Sequence, residues 1–265
     1  MKGGLSSILR KVLALPGASG LDPDAPETTL ARREIIRGKG FLERLYRFWY
    51  EEISRLLPEG PGRVLEIGSG AGFLGEVIPD AITSEVFPVP GISLLADAQA
   101  LPFRARSLKA VVMADVFHHI PDCARFLDSA AGCVREGGAV IMIEPWVTPF
   151  SRLIYGNFHH EPFDPDAQSW AFPSSGPLSG ANGALPWMVF HRDREEFMKR
   201  FPCWRVDFIK PDMPFSYLLS GGVSMRSLLP GAAFAPVRSI EGLLKPFMDK
   251  LALFAVIRLR RTDAA

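Results

Sequence analysis

The chain has 265 residues, enough for one large α/β domain or two small ones with a substantial core. Hydrophobic residues at 48% and charged residues at 22% exclude wholesale disorder. The 30 basic residues nearly balance 29 acidic ones, giving a formal charge of +1. With no basic stripe either, this argues against a nucleic-acid partner.

Residues 1–20 begin like a signal peptide, but Arg10 and Lys11 interrupt a short apolar run. No stretch reaches the roughly 18 uninterrupted apolar residues of a spanning helix. Residues 15–28, rich in Pro, Gly and Asp, read as a loose linker. Two helices follow. Leu30, Ile35 and Ile36 mark the first; Phe41, Leu42, Leu45, Phe48, Trp49 and Ile53 recur at three- and four-residue steps in the second. Gly38 and Gly40 separate them, and residues 58–62 end the pair. This predicts an N-terminal helical extension over residues 1–60, ahead of a main domain over 61–265.

Short apolar runs then alternate with helical or loop segments, the pattern of a parallel sheet buried on both faces. Strands are predicted at 63–67, 81–85, 92–96, 108–114 and 139–144, with helices at 71–77 and 122–135. Only residues 86–91, two of them prolines, separate the second strand from the third, so a Pro-rich loop replaces the usual crossover helix. Residues 147–190 lack periodicity and read as a lid or insert. Asp193 with Glu196 resembles a capping box that opens a helix to about residue 200. Strands at 204–210 and 251–260 close the chain, after an apolar stretch from Phe215 to Met248 expected to cover the sheet. Cys123, Cys133 and Cys203 have no metal-type spacing. The first two, ten residues apart in one helix, are held roughly 15 Å apart. A reducing cytoplasm fits this set.

The sharpest motif is Glu66-Ile67-Gly68-Ser69-Gly70-Ala71-Gly72, after a strand and before a helix. Glycines there permit positive φ and close approach of a ligand to the backbone. A dinucleotide fingerprint needs its third glycine where Phe73 stands. Glu66 would also repel a pyrophosphate, whereas it suits a ligand bearing an ammonium and a sulfonium.

This motif resembles the E/D-x-G-x-G-x-G signature of class I S-adenosylmethionine-dependent methyltransferases. Asp97-Ala98-Gln99-Ala100-Leu101-Pro102-Phe103 is similar to the D-A-x-x-L-P-F run of their type 11 small-molecule group. The resemblance covers about residues 63–146. It implies an α/β Rossmann-like fold: a mostly parallel seven-stranded sheet with an antiparallel last strand and helices on both faces. It also implies S-adenosyl-L-methionine as cofactor, held by Glu66, Gly68, Ser69, Gly70 and Gly72. Glu85 would take the ribose hydroxyls, Asp97 and Ala98 the adenine, and Asp115 and Val116 the floor near the sulfonium.

After the fourth strand the chain reads Asp115-Val116-Phe117-His118-His119-Ile120. That departs from the N/D-P-P-Y/F motif of enzymes acting on nucleobase or glutamine amines. His119 and His118 are the candidate catalytic residues, since histidine titrates near neutral pH. Glu144, Trp146, Tyr155, His159 and His160 are candidate substrate contacts. His159, His160 and Glu161 with Asp164 and Asp166 show no established ligand spacing, so no metal is expected.

These readings converge on an S-adenosylmethionine-dependent methyltransferase with a small-molecule or lipid-like acceptor, cytoplasmic, with peripheral membrane contact through the apolar C-terminal segment as a secondary idea. A catalytically silent binding or scaffold protein of the same fold, and an NAD-dependent oxidoreductase, are the competing readings.

Overall fold

The structure is a computed structural model that describes residues 15, 22, 24–158, 161–174, 176 and 180–263. Arg10, Lys11, His159 and His160 lie outside the described residues, as do residues 16–21 and 23 of the proposed 15–28 linker.

Two helices open the described chain, α1 at Pro26–Gly38 and α2 at Gly40–Arg55. Helix α2 buries Phe41, Leu42, Leu45, Trp49, Tyr50 and Ile53 on one face, the stripe that its apolar spacing predicts. Strands follow at β1 Arg63–Ile67, β2 Ile82–Glu85, β3 Leu94–Leu95 and β4 Leu108–Ala114. Helix α3 spans Cys123–Cys133, and its N-cap Asp122 accepts from the amides of Ala124 and Arg125 at 3.0 and 3.1 Å. Then come β5 Val134–Pro145, α4 Pro149–Phe158, α5 Leu185–Trp187 and α6 Arg194–Arg200. The chain ends with β6 Trp204–Asp212, α7 Ser216–Ser220, α8 Phe234–Leu243, α9 Met248–Leu251 and β7 Phe254–Arg261.

Among the described residues seven strands form one sheet in the order β3-β2-β1-β4-β5-β7-β6. Pairings among β1 to β5 are parallel, whereas β7 runs antiparallel to both β5 and β6. The predicted antiparallel last strand is therefore present, inserted beside the edge. Side-chain alternation divides the core into two layers. Val111, Met113, Val140, Met142, Ile257 and Leu259 face α3 and the 184–201 segment. Ala110, Val112, Ala139, Ile141, Ile143 and Val256 face α2 and the C-terminal apolar segment.

Several local expectations are revised. In place of a helix over 71–77 there is a single 3-10 turn at Leu74–Glu76, because Gly70, Gly72 and Gly75 disfavour helix. Helix α2 and Arg37, stacked 4.0 Å over the Phe73 ring, cover that side of the sheet instead. The 86–93 interval contains no helix, as its prolines suggest, and β3 shrinks to two residues. Helix α4 occupies part of the proposed lid. Asp193 makes no side-chain cap; its carboxylate takes the Trp170 indole and the Arg192 guanidinium. In the C-terminal apolar stretch, Tyr217, Leu218, Leu219, Val223 and Leu229 pack toward the sheet, while Leu228, Leu243 and Phe247 stay exposed. Among the described residues no helix is long and apolar enough to cross a membrane.

Candidate active site

The glycine loop leaves the carboxyl end of β1, where ligands of open α/β sheets bind. It is tied to β2 on both sides. The Ser69 amide donates to the Ser84 carbonyl at 2.9 Å, and the Ser84 amide donates to Ser69 Oγ at 3.0 Å. The Gly70 amide donates to Glu85 Oε1 at 3.0 Å, and the Phe73 amide donates to the Tyr50 hydroxyl at 3.3 Å. Gly68 has φ +70°, and a Cβ there would sit 2.5 Å from Val116 Cγ2. At Gly72 a Cβ would collide with the Tyr50 hydroxyl. Backbone without side chains is what this crowding demands.

Glu66 is 3% exposed, and its Oε2 is buried without a hydrogen-bond partner among the described residues. Burial, reinforced by the nearby charge of Glu85, pushes its pKa up to about 7. An orphaned carboxylate oxygen at a bare-backbone bend is the complement of a cationic ligand. Glu85, buried at the end of β2, also has a raised pKa through burial, opposed by the amides of Val86 and Gly70 that donate to it.

Two cavities adjoin here, of about 130 and 120 Å³, and share Gly68, Glu85, Val116 and His119. The second is lined by Ala96, Asp97, Ala98, Gln99, Ile120 and Pro121, a mainly apolar slot suited to a flat ring. Asp97 stands at its rim, exposed, with Oδ1 accepting from the Gln99 amide at 2.8 Å. The first cavity is lined by Glu66 and Gly72 and also by Asp115, His119 and Glu161.

The last three residues are held by a buried scaffold. Asp115 adopts φ +62°, and burial raises its pKa to about 7. Glu144, fully buried, accepts from the amides of Val116 and Phe117 at 2.9 and 2.7 Å through Oε1. Its Oε2 lies 2.7 Å from His118 Nδ1. Burial opposes charge on His118, but hydrogen bonding to Glu144 and then Glu161 holds its pKa well above 6.5. Burial, with the neighbouring His118, lowers His119 to about 4. His119 Nδ1 lies 3.2 Å from the Gly180 carbonyl. Asn182 pins the overlying segment: its amide donates to the His118 carbonyl at 3.0 Å, and its side chain brackets Asp164 at 2.9 Å on both sides.

Of the residues singled out from the sequence, Glu66, Gly68, Gly72, Glu85, Asp97, Ala98, Asp115, Val116 and His119 line these two cavities. Ser69 and Gly70 shape the loop from behind. Glu144 is a correction: it faces the turn it anchors, not the cavity. Trp146 is another, buried with its ring 6.0 Å from His191 on the opposite layer. Tyr155 is 4% exposed and donates to the Leu253 carbonyl at 2.9 Å; it borders a small neighbouring cavity that shares Tyr217 and Ser224 with the first. Thr29, Arg32, Tyr46, Tyr50 and Tyr217 complete the first cavity. Sequence reading missed them because their helices carry an ordinary amphipathic signal.

The profile of a family described as a methyltransferase domain matches residues 41–181. A S-adenosylmethionine-dependent methyltransferase from Thermotoga maritima, a possible histamine N-methyltransferase, is similar in fold, with a TM-score of 0.50 at 17% identity over 82% of this chain and 89% of that one. The geranyl diphosphate C-methyltransferase of Streptomyces coelicolor gives a TM-score of 0.48 at 14% identity, over 94% of this chain and 89% of its own. No curated protein matches the chain. With the family profile spanning more than half the sequence and the cavity shaped for a cationic donor, the chain belongs to the methyltransferase-domain family and is a class I S-adenosylmethionine-dependent methyltransferase.

Proposed function

We propose that this enzyme methylates a small-molecule or lipid-like acceptor, which enters the Asp115–His119–Glu161 end of the first cavity. The observation carrying this reading is that one cavity is lined both by Glu66, with its unpaired carboxylate oxygen, and by the His119–Glu161 pair. Glu66 takes the donor's ammonium and Arg32, in the same cavity, takes its carboxylate. Glu85 accepts from the ribose hydroxyls, and Ala98 with Asp97 frames the adenine slot. Bound S-adenosylmethionine would supply an electrophilic methyl group for transfer to the acceptor. Val116 and Asp115 would form the floor of the cavity on that side. His119, together with His118 behind it, forms the polar wall that orients the acceptor. Holding two reactants in line supplies much of the rate in such a displacement. Asn182, bonded to the His118 carbonyl and to Asp164, closes the turn after β4 and limits the entry of water there. The small cavity bordered by Ile154, Tyr155, Phe158 and Met225 gives an apolar acceptor tail somewhere to lie.

The test is incubation of the enzyme with radiolabelled methyl donor and fractionated cell extract, following label into aqueous and lipid fractions. Label in a small organic-soluble or water-soluble product supports the proposal. Label confined to protein or nucleic acid overturns it.

A further inference from the structure

The acceptor end of the cavity has a feature that methyl transfer by itself does not require. His118 and His119 are consecutive, and each has its Nδ1 engaged from outside the cavity: His118 by Glu144 Oε2 at 2.7 Å, His119 by the Gly180 carbonyl at 3.2 Å. A carbonyl can only accept, so the His119 Nδ1 carries the hydrogen. With Nδ1 donating on both rings, both Nε2 atoms turn the same way, toward one carboxylate. His118 Nε2 is 3.5 Å from Glu161 Oε2, and His119 Nε2 is 3.7 Å from Glu161 Oε1. At His119 a neutral imidazole thus aims its Nε2 lone pair at Glu161 Oε1, which is repulsive unless positive charge sits between them.

We propose that His118, His119 and Glu161 form a binding site for a divalent transition-metal cation, represented by Zn²⁺, at the acceptor end of the cavity. One ligand atom from each residue lies within 4.8 Å of the other two. Around a tetrahedral ion with bonds of about 2.0–2.1 Å, ligand atoms stand about 3.4 Å apart. His118 Nε2 meets Glu161 Oε2 at 3.5 Å and His119 Nε2 meets Oε1 at 3.7 Å, so the carboxylate turns one oxygen toward both rings on binding. Ligating histidines almost always donate their second ring N–H to a carboxylate or backbone carbonyl, and Glu144 and Gly180 supply one of each. Two imidazoles favour a zinc-like ion over Mg²⁺ or Ca²⁺, which prefer all-oxygen shells. Binding releases the Nε2 proton of His118 to solvent, and the ion takes over the position of that charge. Three protein ligands leave a fourth position, and two of them, His119 and Glu161, line the same cavity as Asp115. An ion there holds an acceptor through a lone-pair donor, a hydroxyl, phenol, carboxylate or thiol group. The ligand set stands without the acceptor reading; only the ion's role rests on it.

Chain spacing does not disclose this set, because Glu161 comes from a distant segment, while the Asp164 carboxylate accepts from the Asp166 amide and the Asp166 carboxylate faces Arg152. The experiment uses the full chain stripped with chelator. Zn²⁺ is titrated by calorimetry, and Co²⁺ by the visible bands of a four-coordinate ion. His118 is buried, so the variants are H119A and E161Q, at the cavity wall, with circular dichroism confirming their fold. The expected result is one equivalent of Zn²⁺ in the wild type, at least tenfold weaker binding in each variant, and loss of the Co²⁺ bands. No stoichiometric uptake by the wild type, or equal uptake by both folded variants, overturns the proposal and assigns the positive charge to a proton on His118. S-adenosylhomocysteine binding by the stripped wild type is measured alongside. Its failure would strike the donor site instead, so the two results remain distinct.

Discussion

Replacing Glu66 with Gln separates the two consequences of burying a carboxylate for a ligand's sake. In the ligand-free fold burial raises Glu66 from 4.5 to about 7. At 1.36 kcal/mol per unit, that is about 3 kcal/mol between the protonated and charged forms. A carboxyl whose folded pKa exceeds its unfolded value contributes stability that is full below pH 4.5 and lost as pH rises through 7. Ligand-free Glu66→Gln is therefore more stable than wild type at pH 8 by about 3 kcal/mol, or about 6–12 °C in Tm for a domain of this size. The advantage shrinks toward zero by pH 4.5. Donor binding moves the opposite way: loss of a charge-assisted contact worth about 1.5–3 kcal/mol weakens it about 10- to 100-fold. Between pH 5.5 and 7.5, below the α-amino range of about 7.7–8.0, wild-type affinity falls with acidification while the variant's stays flat. Differential scanning calorimetry and titration with S-adenosylhomocysteine across that range read both effects. A variant no more stable than wild type at pH 8, binding the ligand equally well with the same pH profile, would refute the reasoning.

Gly72→Ala forces a methyl against the Tyr50 hydroxyl and should cost about 1–3 kcal/mol in chemical denaturation. Adding Tyr50→Phe should recover part of that loss, a coupling that independent sites would not show. Glu144→Leu strands His118 and two backbone amides in the core and should destabilise by about 3–5 kcal/mol in urea titrations. Arg32→Ala should weaken S-adenosylhomocysteine binding about tenfold, the loss of one charge-assisted pair, with thermal stability changed by less than about 2 °C.

The sheet was legible because its central strands are short, mainly apolar runs. Residues 63–67 and 108–114 coincide with β1 and β4. The donor side was legible because glycine crowding and a lone acid leave a local pattern. What stayed hidden depends on tertiary contact. Asp193 and Glu196 have the spacing of a cap, yet Trp170 and Arg192 compete for the Asp193 carboxylate. Ala71 to Val77 has apolar residues at helical intervals, but the Gly72 amide turns back to Ser69 and the Phe73 amide goes to Tyr50. Glu144 looked like a substrate contact at a strand end; only its amide partners show it to be an internal anchor. Arg32, Tyr46 and Tyr50 sit on helices whose periodicity reports only that one face is buried.

The glycine loop leans on the N-terminal helices at several points. Arg33 donates twice to the Gly70 carbonyl, at 3.1 and 2.6 Å, and Tyr50 receives the Phe73 amide. The floor of the donor chamber thus comes from the sheet and its roof from a segment earlier in the chain. A molecule lodged between the two works as a rivet. At a hundred times its dissociation constant it adds about 2.7 kcal/mol to the joined arrangement. Protease resistance of the first two helices should therefore rise with donor concentration, turning occupancy of a small chamber into firmness of the whole amino-terminal edge.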